Sequence, residues 1–179
     1  YHMPYDNGDL KEAINKANQA LDFAGNGKDD DIKIYDEKLE VLIKERHERE
    51  KLLESVDINK DFVAFYQPKV DIRTNRIVGA EALVRFVDPS DGGRIKAPGY
   101  FVPYYEQTGR ITEIDFFVCE SVCKMLRRRM DEGLPVVTVS CNFSRMHFIK
   151  DGFVEHFEEL LKKYRIDKEL IEVEITETL

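Results

Sequence analysis

Positive charge is in short supply in this chain: 27 lysines and arginines stand against 35 aspartates and glutamates in 179 residues, a formal net charge of −8. That balance excludes a protein that grips a nucleic-acid polymer through a basic face. A phosphate ligand stays compatible, provided that metal ions or a local arginine supply the positive charge. Cysteine is also scarce, with three residues, Cys119, Cys123 and Cys141. An odd, scattered set of this kind suggests no disulfide framework and favours a reducing, cytoplasmic setting. Cys119 and Cys123 lie one helical turn apart, yet structural zinc needs four ligands in paired clusters, so both read as small core residues. Long apolar runs are missing, since nothing approaches the roughly 18 consecutive residues of a membrane helix. The opening Tyr1-His2-Met3-Pro4-Tyr5-Asp6 has neither the basic start nor the apolar stretch of a signal peptide. No membrane contact is expected from this segment, whatever membrane or sensor module a longer parent carries upstream. What is present, 42% hydrophobic and 35% charged residues, suits a globular protein with a proper core.

Between Asp9 and Ala24 the residues Leu10, Ala13, Ile14, Ala17, Ala20, Leu21 and Ala24 recur on one face of an amphipathic helix. Gly25-Asn26-Gly27 ends it, Lys28 to Asp31 reads as a solvated turn, and Ile32 to Tyr35 as a short strand. Asp36 to Glu54 is a second helix, so rich in charges of mixed sign that it reads as a connector with a solvated face. Phe62–Val70 and Arg76–Val84 form a hairpin around Asp71-Ile72-Arg73-Thr74-Asn75. Helix (Phe101–Gln107, then Ile111–Glu132), strand (Val136–Phe143), helix (Gly152–Tyr164) and strand (Leu170–Thr176) follow. Strands alternating with helices imply parallel pairing through crossovers, hence an α/β fold.

Three β-rich runs carry an oxygen-bearing side chain: Glu81, Asn142 and Glu174. The interval from Asn142 to Glu174 is one strand–helix repeat, and that from Glu81 to Asn142 is close to two. Each side chain is therefore expected at the C-terminal end of its own strand, the edge that carries chemistry in α/β sheets and barrels. Two glutamates and an asparagine offer oxygen only, which suits Mg²⁺ or Mn²⁺ over zinc or copper. Acidic residues at strand ends are also ordinary solvent-facing groups, and spacing alone leaves that bland alternative open.

The motifs at these positions resemble the EAL domain, the bacterial phosphodiesterase family that acts on cyclic di-GMP. They run in order as Tyr66-Gln67-Pro68, Gly79-Ala80, Glu81-Ala82-Leu83-Val84-Arg85-Phe86, Phe101-Val102-Pro103, Glu106-Gln107-Thr108-Gly109, Asn142-Phe143-Ser144 and Glu174-Ile175-Thr176-Glu177. The resemblance covers about Asp57 to Leu179. It implies a TIM-like (β/α)₈ barrel with Glu81, Asn142 and Glu174 among its metal ligands. It implies too that Gln67, Leu83 and Arg85 hold the dinucleotide, Arg85 on a phosphate, a task for which an arginine fork is suited. Glu177 matches the family glutamate that steadies a loop beside the metal site, and joins Glu81 as a catalytic candidate. The reaction implied is hydrolysis of one phosphodiester bond to linear pGpG, with Mg²⁺ or Mn²⁺ as cofactor and water as nucleophile. Family analogy adds a homodimer as partner state. Phe86 stands where the family often has tryptophan, and Tyr104-Tyr105 where alanine is common; both read as packing variants.

The first segment resembles, more faintly, the C-terminal end of a GGDEF (diguanylate cyclase) domain, through Ala13, Ala17, Ala20-Leu21, Ala24, Gly27 and Ile32-Lys33-Ile34-Tyr35. The GGDEF tetrad itself is absent, so only module order is inferred. The expected organisation is a GGDEF remnant over 1–36, a linker helix over 37–56 and the N-terminal half of an EAL domain over 57–179. A full barrel takes about 250 residues, and the family's paired aspartates and lysine would fall beyond Leu179. On that reading the chain by itself is expected to hydrolyse little. The rival expectation is a non-catalytic module that binds cyclic di-GMP without cleaving it.

Overall fold

The computed structural model describes residues 10–24, 34–149 and 151–176. The chain divides into two compact units, Tyr1–Ser55 and Val56–Leu179.

In the first unit, α1 (Leu10–Ala24) and α2 (Glu37–Ser55) are the two helices expected from apolar periodicity and charge pairing. Ala20, Leu39 and Ile43 form a small core with Phe23 and Tyr35 against it. Leu10, Ile14 and Leu21 of the same α1 pattern stay exposed. The turn at Gly25–Asp31 and the first half of the Ile32–Tyr35 strand lie outside the described residues. Ile34 and Tyr35 are described and belong to no strand.

The second unit begins with a one-turn helix α3 (Ile58–Asp61), capped by the Asp57 carboxylate on the Asn59 N–H. Next comes the expected hairpin, β1 (Phe62–Asp71) and β2 (Arg76–Asp88), paired antiparallel. Its turn is held by Asp71, whose carboxylate accepts from the N–H groups of Arg73 and Thr74 at 2.7 and 3.1 Å. A short strand β3 (Arg94–Lys96) adds to the far end of β2. Helices α4 (Val102–Gln107) and α5 (Ile111–Asp131) then lead to β4 (Thr138–Ser144), and α6 (Phe153–Tyr164) to β5 (Ile171–Thr176). The sheet order is β1-β2-β4-β5, with β2–β4 and β4–β5 parallel. The result is an α/β fold around a mixed sheet.

The core separates the sheet's two faces. Ala82 and Phe86 of β2 and Val139, Cys141 and Phe143 of β4 are buried, as are Ile114, Val118, Cys119, Val122, Cys123 and Leu126 of α5. Alternate residues of a strand point to opposite faces, so Glu81, Leu83 and Arg85 share the other face with Ser140 and Asn142. Aromatic rings close the core at both ends. Phe86 packs against Phe62 and Phe101 with centroids 5.2 and 6.3 Å away, and Phe143 against Phe116 and Phe153 at 5.7 and 5.0 Å. The free cysteines are fully enclosed, as expected for core residues. Burying Phe86 completely makes it expensive to truncate: Phe86→Ala is expected to cost about 3–5 kcal/mol in a urea titration, through lost transfer energy and the cavity left behind.

Helices α5 and α6 are tied by Glu120, which accepts from the Lys163 ammonium at 2.6 Å and the Tyr164 hydroxyl at 2.7 Å. Those two contacts, led by Lys163, hold its carboxyl at about 2 against an ordinary 4.5. A carboxyl held low contributes stability that is present above its unfolded pKa and lost as pH falls through the folded value. This contribution should therefore disappear between about pH 4.5 and 2. Glu120→Gln is expected to flatten that stretch of the acid-unfolding curve followed by circular dichroism.

Candidate metal and substrate site

Pairing register assembles the site on the sheet face opposite α5. Glu81 of β2 pairs with Gln67 of β1 on one side and with Ser140 of β4 on the other. Ser140 pairs in turn with Glu172, and two residues further on Asn142 pairs with Glu174. Directly paired residues share a face. Gln67, Glu81, Ser140, Asn142, Glu172 and Glu174 therefore line one patch of sheet across four strands.

Glu81 and Asn142 meet, the Asn142 Nδ2 donating to Glu81 Oε1 at 2.9 Å. That bond uses the amide's N–H side and leaves its carbonyl oxygen as a further acceptor. Glu81, Asn142 and Glu174 are all half-buried. Glu174 has a partner that sequence reasoning missed: the Lys69 ammonium donates to Glu174 Oε1 and to Glu172 Oε2, both at 3.0 Å. The hydrogen bond from Lys69 is the main cause that holds the Glu174 carboxyl below its ordinary range, with a smaller contribution from the Ser140 hydroxyl. Period-two alternation sets Lys69 on the face of Gln67 and Glu174 on that of Glu172, but only the sheet brings the two together.

One positional expectation needs correcting. Glu81 is not at the end of its strand, because β2 runs on to Asp88. The extra length comes from partners distant in sequence: the start of β1 and all of β3 pair with it. Glu81 instead lies where β2 and β4 part, one residue before their last pairing, Ala82 with Cys141. Asn142 and Glu174 each stand two residues before the end of β4 and β5.

Leu83 and Arg85 follow Glu81 on the same face, both half-buried. The Arg85 Nη1 donates to the Val84 carbonyl at 2.8 Å, and a guanidinium with five N–H donors keeps others for an anion. Gln67 is exposed beside Glu81. Glu177 lies outside the described residues.

A second contact that sequence reasoning missed anchors the end of β4. Asp115, buried on α5, accepts through Oδ2 from the Ser144 N–H at 2.8 Å and contacts His147 Nε2 at 3.0 Å. Phe116, Phe143 and Phe153 crowd the imidazole with centroids 5.0 to 5.3 Å away. The strand that carries Asn142 is thus hooked to the helix behind it.

The donor set fits a hard divalent cation. Two carboxylates and an amide oxygen share one patch, with no sulfur or imidazole among them. No group of three or more His, Cys, Asp or Glu side chains able to hold a metal ion by themselves occurs among the described residues.

The EAL-domain family model matches residues 49–179. The chain belongs to the EAL family. It is 30% identical over 176 residues to the signaling protein YkoW of Bacillus subtilis, covering 98% of this chain and 22% of YkoW. Over 128 residues it is 30% identical to the cyclic di-GMP phosphodiesterase PA2567 of Pseudomonas aeruginosa, covering 72% of this chain and 21% of that protein. The chain thus spans about a fifth of the length of these curated relatives. Among solved structures, the PaMucR phosphodiesterase in complex with c-di-GMP superposes with a TM-score of 0.56 at 28% identity, covering 66% of this chain and 48% of that one. The mixed α/β sheet is therefore that of EAL domains.

Removing the Asp115 hook leaves the buried Ser144 N–H and the His147 ring without their acceptor. Asp115→Ala is expected to destabilise the second unit by about 2–6 kcal/mol, at about 1–3 kcal/mol for each of the two orphaned groups. Equilibrium denaturation measures it.

Proposed function

We propose that this protein is a metal-dependent phosphodiesterase that opens cyclic di-GMP to linear pGpG. The observation that carries the reading is the convergence of Glu81, Asn142 and Glu174 on one sheet face through strand register and the Asn142–Glu81 hydrogen bond. Relatives named as cyclic di-GMP phosphodiesterases support it. In this reading residues 57–179 contribute the first half of a TIM-like barrel, 37–56 a linker helix, and 1–36 the end of a GGDEF-type module. Coverage of 48% of the PaMucR phosphodiesterase chain supports the half-barrel.

Glu81, Asn142 and Glu174 would hold Mg²⁺ or Mn²⁺, which supplies charge neutralisation at the phosphate and water of lowered pKa. Arg85 binds a phosphate of the dinucleotide through paired, charge-assisted hydrogen bonds, while Gln67 and Leu83 line the same face beside it. With a sheet face this acidic, the arginine and the cation together make an anionic ligand acceptable.

The full-length protein, given cyclic di-GMP and Mn²⁺, is expected to release pGpG, seen by anion-exchange chromatography. Glu81→Ala should abolish that release. Arg85→Ala should weaken cyclic di-GMP binding about tenfold or more, the worth of a charge-assisted hydrogen bond. Binding without turnover in the unaltered protein would make it a receptor, and the absence of both would end the cyclic di-GMP reading. The 179-residue chain on its own is expected to show no substantial hydrolysis.

A further inference from the structure

The geometry points to Lys69 as an ammonium that competes with a divalent cation for the Glu174 carboxylate, with Glu172 setting how tightly it holds that carboxylate. This inference rests on the metal-site reading above and deepens it.

Lys69 stands on β1, at the opposite end of the sheet order from β5. To reach Glu174 its side chain must cross the site face. The structure provides the passage. Lys69 pairs with Gly79 of β2, and a Cβ built on that glycine would lie 3.7 and 3.8 Å from Lys69 Cδ and Cβ. The lysine stem thus runs over the one β2 position with no side chain. Beyond it the ammonium divides itself between Glu172 and Glu174 at 3.0 Å each.

The division has electrostatic consequences. Glu172 and Glu174 face the same way two residues apart, so their charges repel, and one ammonium between them relieves it. Lys69 binds Glu174 through Oε1. Glu172 cancels the lysine's charge, so that Glu81 and Glu174 keep their full attraction for a cation. Pairs this exposed, with side chains 37–55% accessible, contribute little to global stability. Their effect is on where the Glu174 carboxylate stands and how readily it is released. Partners behind metal-ligating carboxylates characteristically change metal affinity by about 10- to 100-fold.

Removing Glu172 therefore acts in one direction. Its loss takes away a negative charge and leaves Glu174 as the sole carboxylate for the Lys69 ammonium, and both effects oppose a cation. Mn²⁺ affinity of the full-length protein, measured by electron paramagnetic resonance of the free ion, tests this. Glu172→Gln is expected to weaken Mn²⁺ binding about tenfold, and adding Lys69→Gln to it should recover most of that loss, because the competing ammonium is gone. Circular dichroism should match the unaltered protein for both, since Glu172 is exposed. Unchanged Mn²⁺ affinity in Glu172→Gln, or a double variant as weak as Glu172→Gln alone, would overturn the role of Lys69 and Glu172 while leaving the metal site intact. An unaltered protein that binds no more Mn²⁺ than Glu81→Ala would instead overturn the metal reading, and this inference with it.

Discussion

Everything at the site depends on β2, β4 and β5 being paired in one particular parallel register. A slip of a single residue turns every side chain of a strand to the other face. Were β4 to slip, Asn142 would point into the helix-covered core and Cys141 or Phe143 would emerge beside Glu81. What forbids the slip is the core itself. Val139, Cys141 and Phe143 are buried without remainder, and moving three such side chains into solvent would cost several kcal/mol at about 1.5–3 kcal/mol each for the larger ones. The polar face is thus placed by the apolar one.

Two local devices sharpen that placement. Gly79 lets β2 and β4 come close: a Cβ there would lie 3.1 Å from the Thr138 carbonyl oxygen, a contact backbone cannot easily yield to. At the other end, Asp115 fastens the exit of β4 to α5. Asn142 lies between these two constraints, and it is the residue that bonds Glu81. The same glycine clears the path of Lys69, so close strand approach and the cross-sheet ion pairs have a common cause.

Much of this was legible in the chain and some was not, for physical reasons. The hairpin followed from alternating strands around Asp71–Asn75, and α5 and α6 from their apolar period, because both signals are local. Parallel pairing followed from alternation of strand and helix. The extension of β2 past Val84 was hidden, since its partners Arg94–Lys96 form too short a strand to show a period. Glu81, Asn142 and Glu174 were found through motif and spacing, whereas Lys69 was passed over because its partners lie 103 and 105 residues away. Asp115 likewise meets Ser144 and His147 only through the packing of α5 on β4. Contacts of that kind are a product of topology, and no window along the sequence contains them.

The three enclosed thiols carry a different consequence. Cys119 and Cys123 of α5 and Cys141 of β4 have no accessible surface, and the Cys119 thiol together with burial pushes Cys123 well above the ordinary thiol range. Such thiols are inert toward alkylating agents as long as helix and sheet stay together. They become reactive only when that layer parts, so their labelling rate clocks the opening of the seam behind the face that carries Glu81, Asn142 and Glu174. The protein carries its own stopwatch for the motion that would dismantle its site, placed where no ligand on the opposite face can touch it.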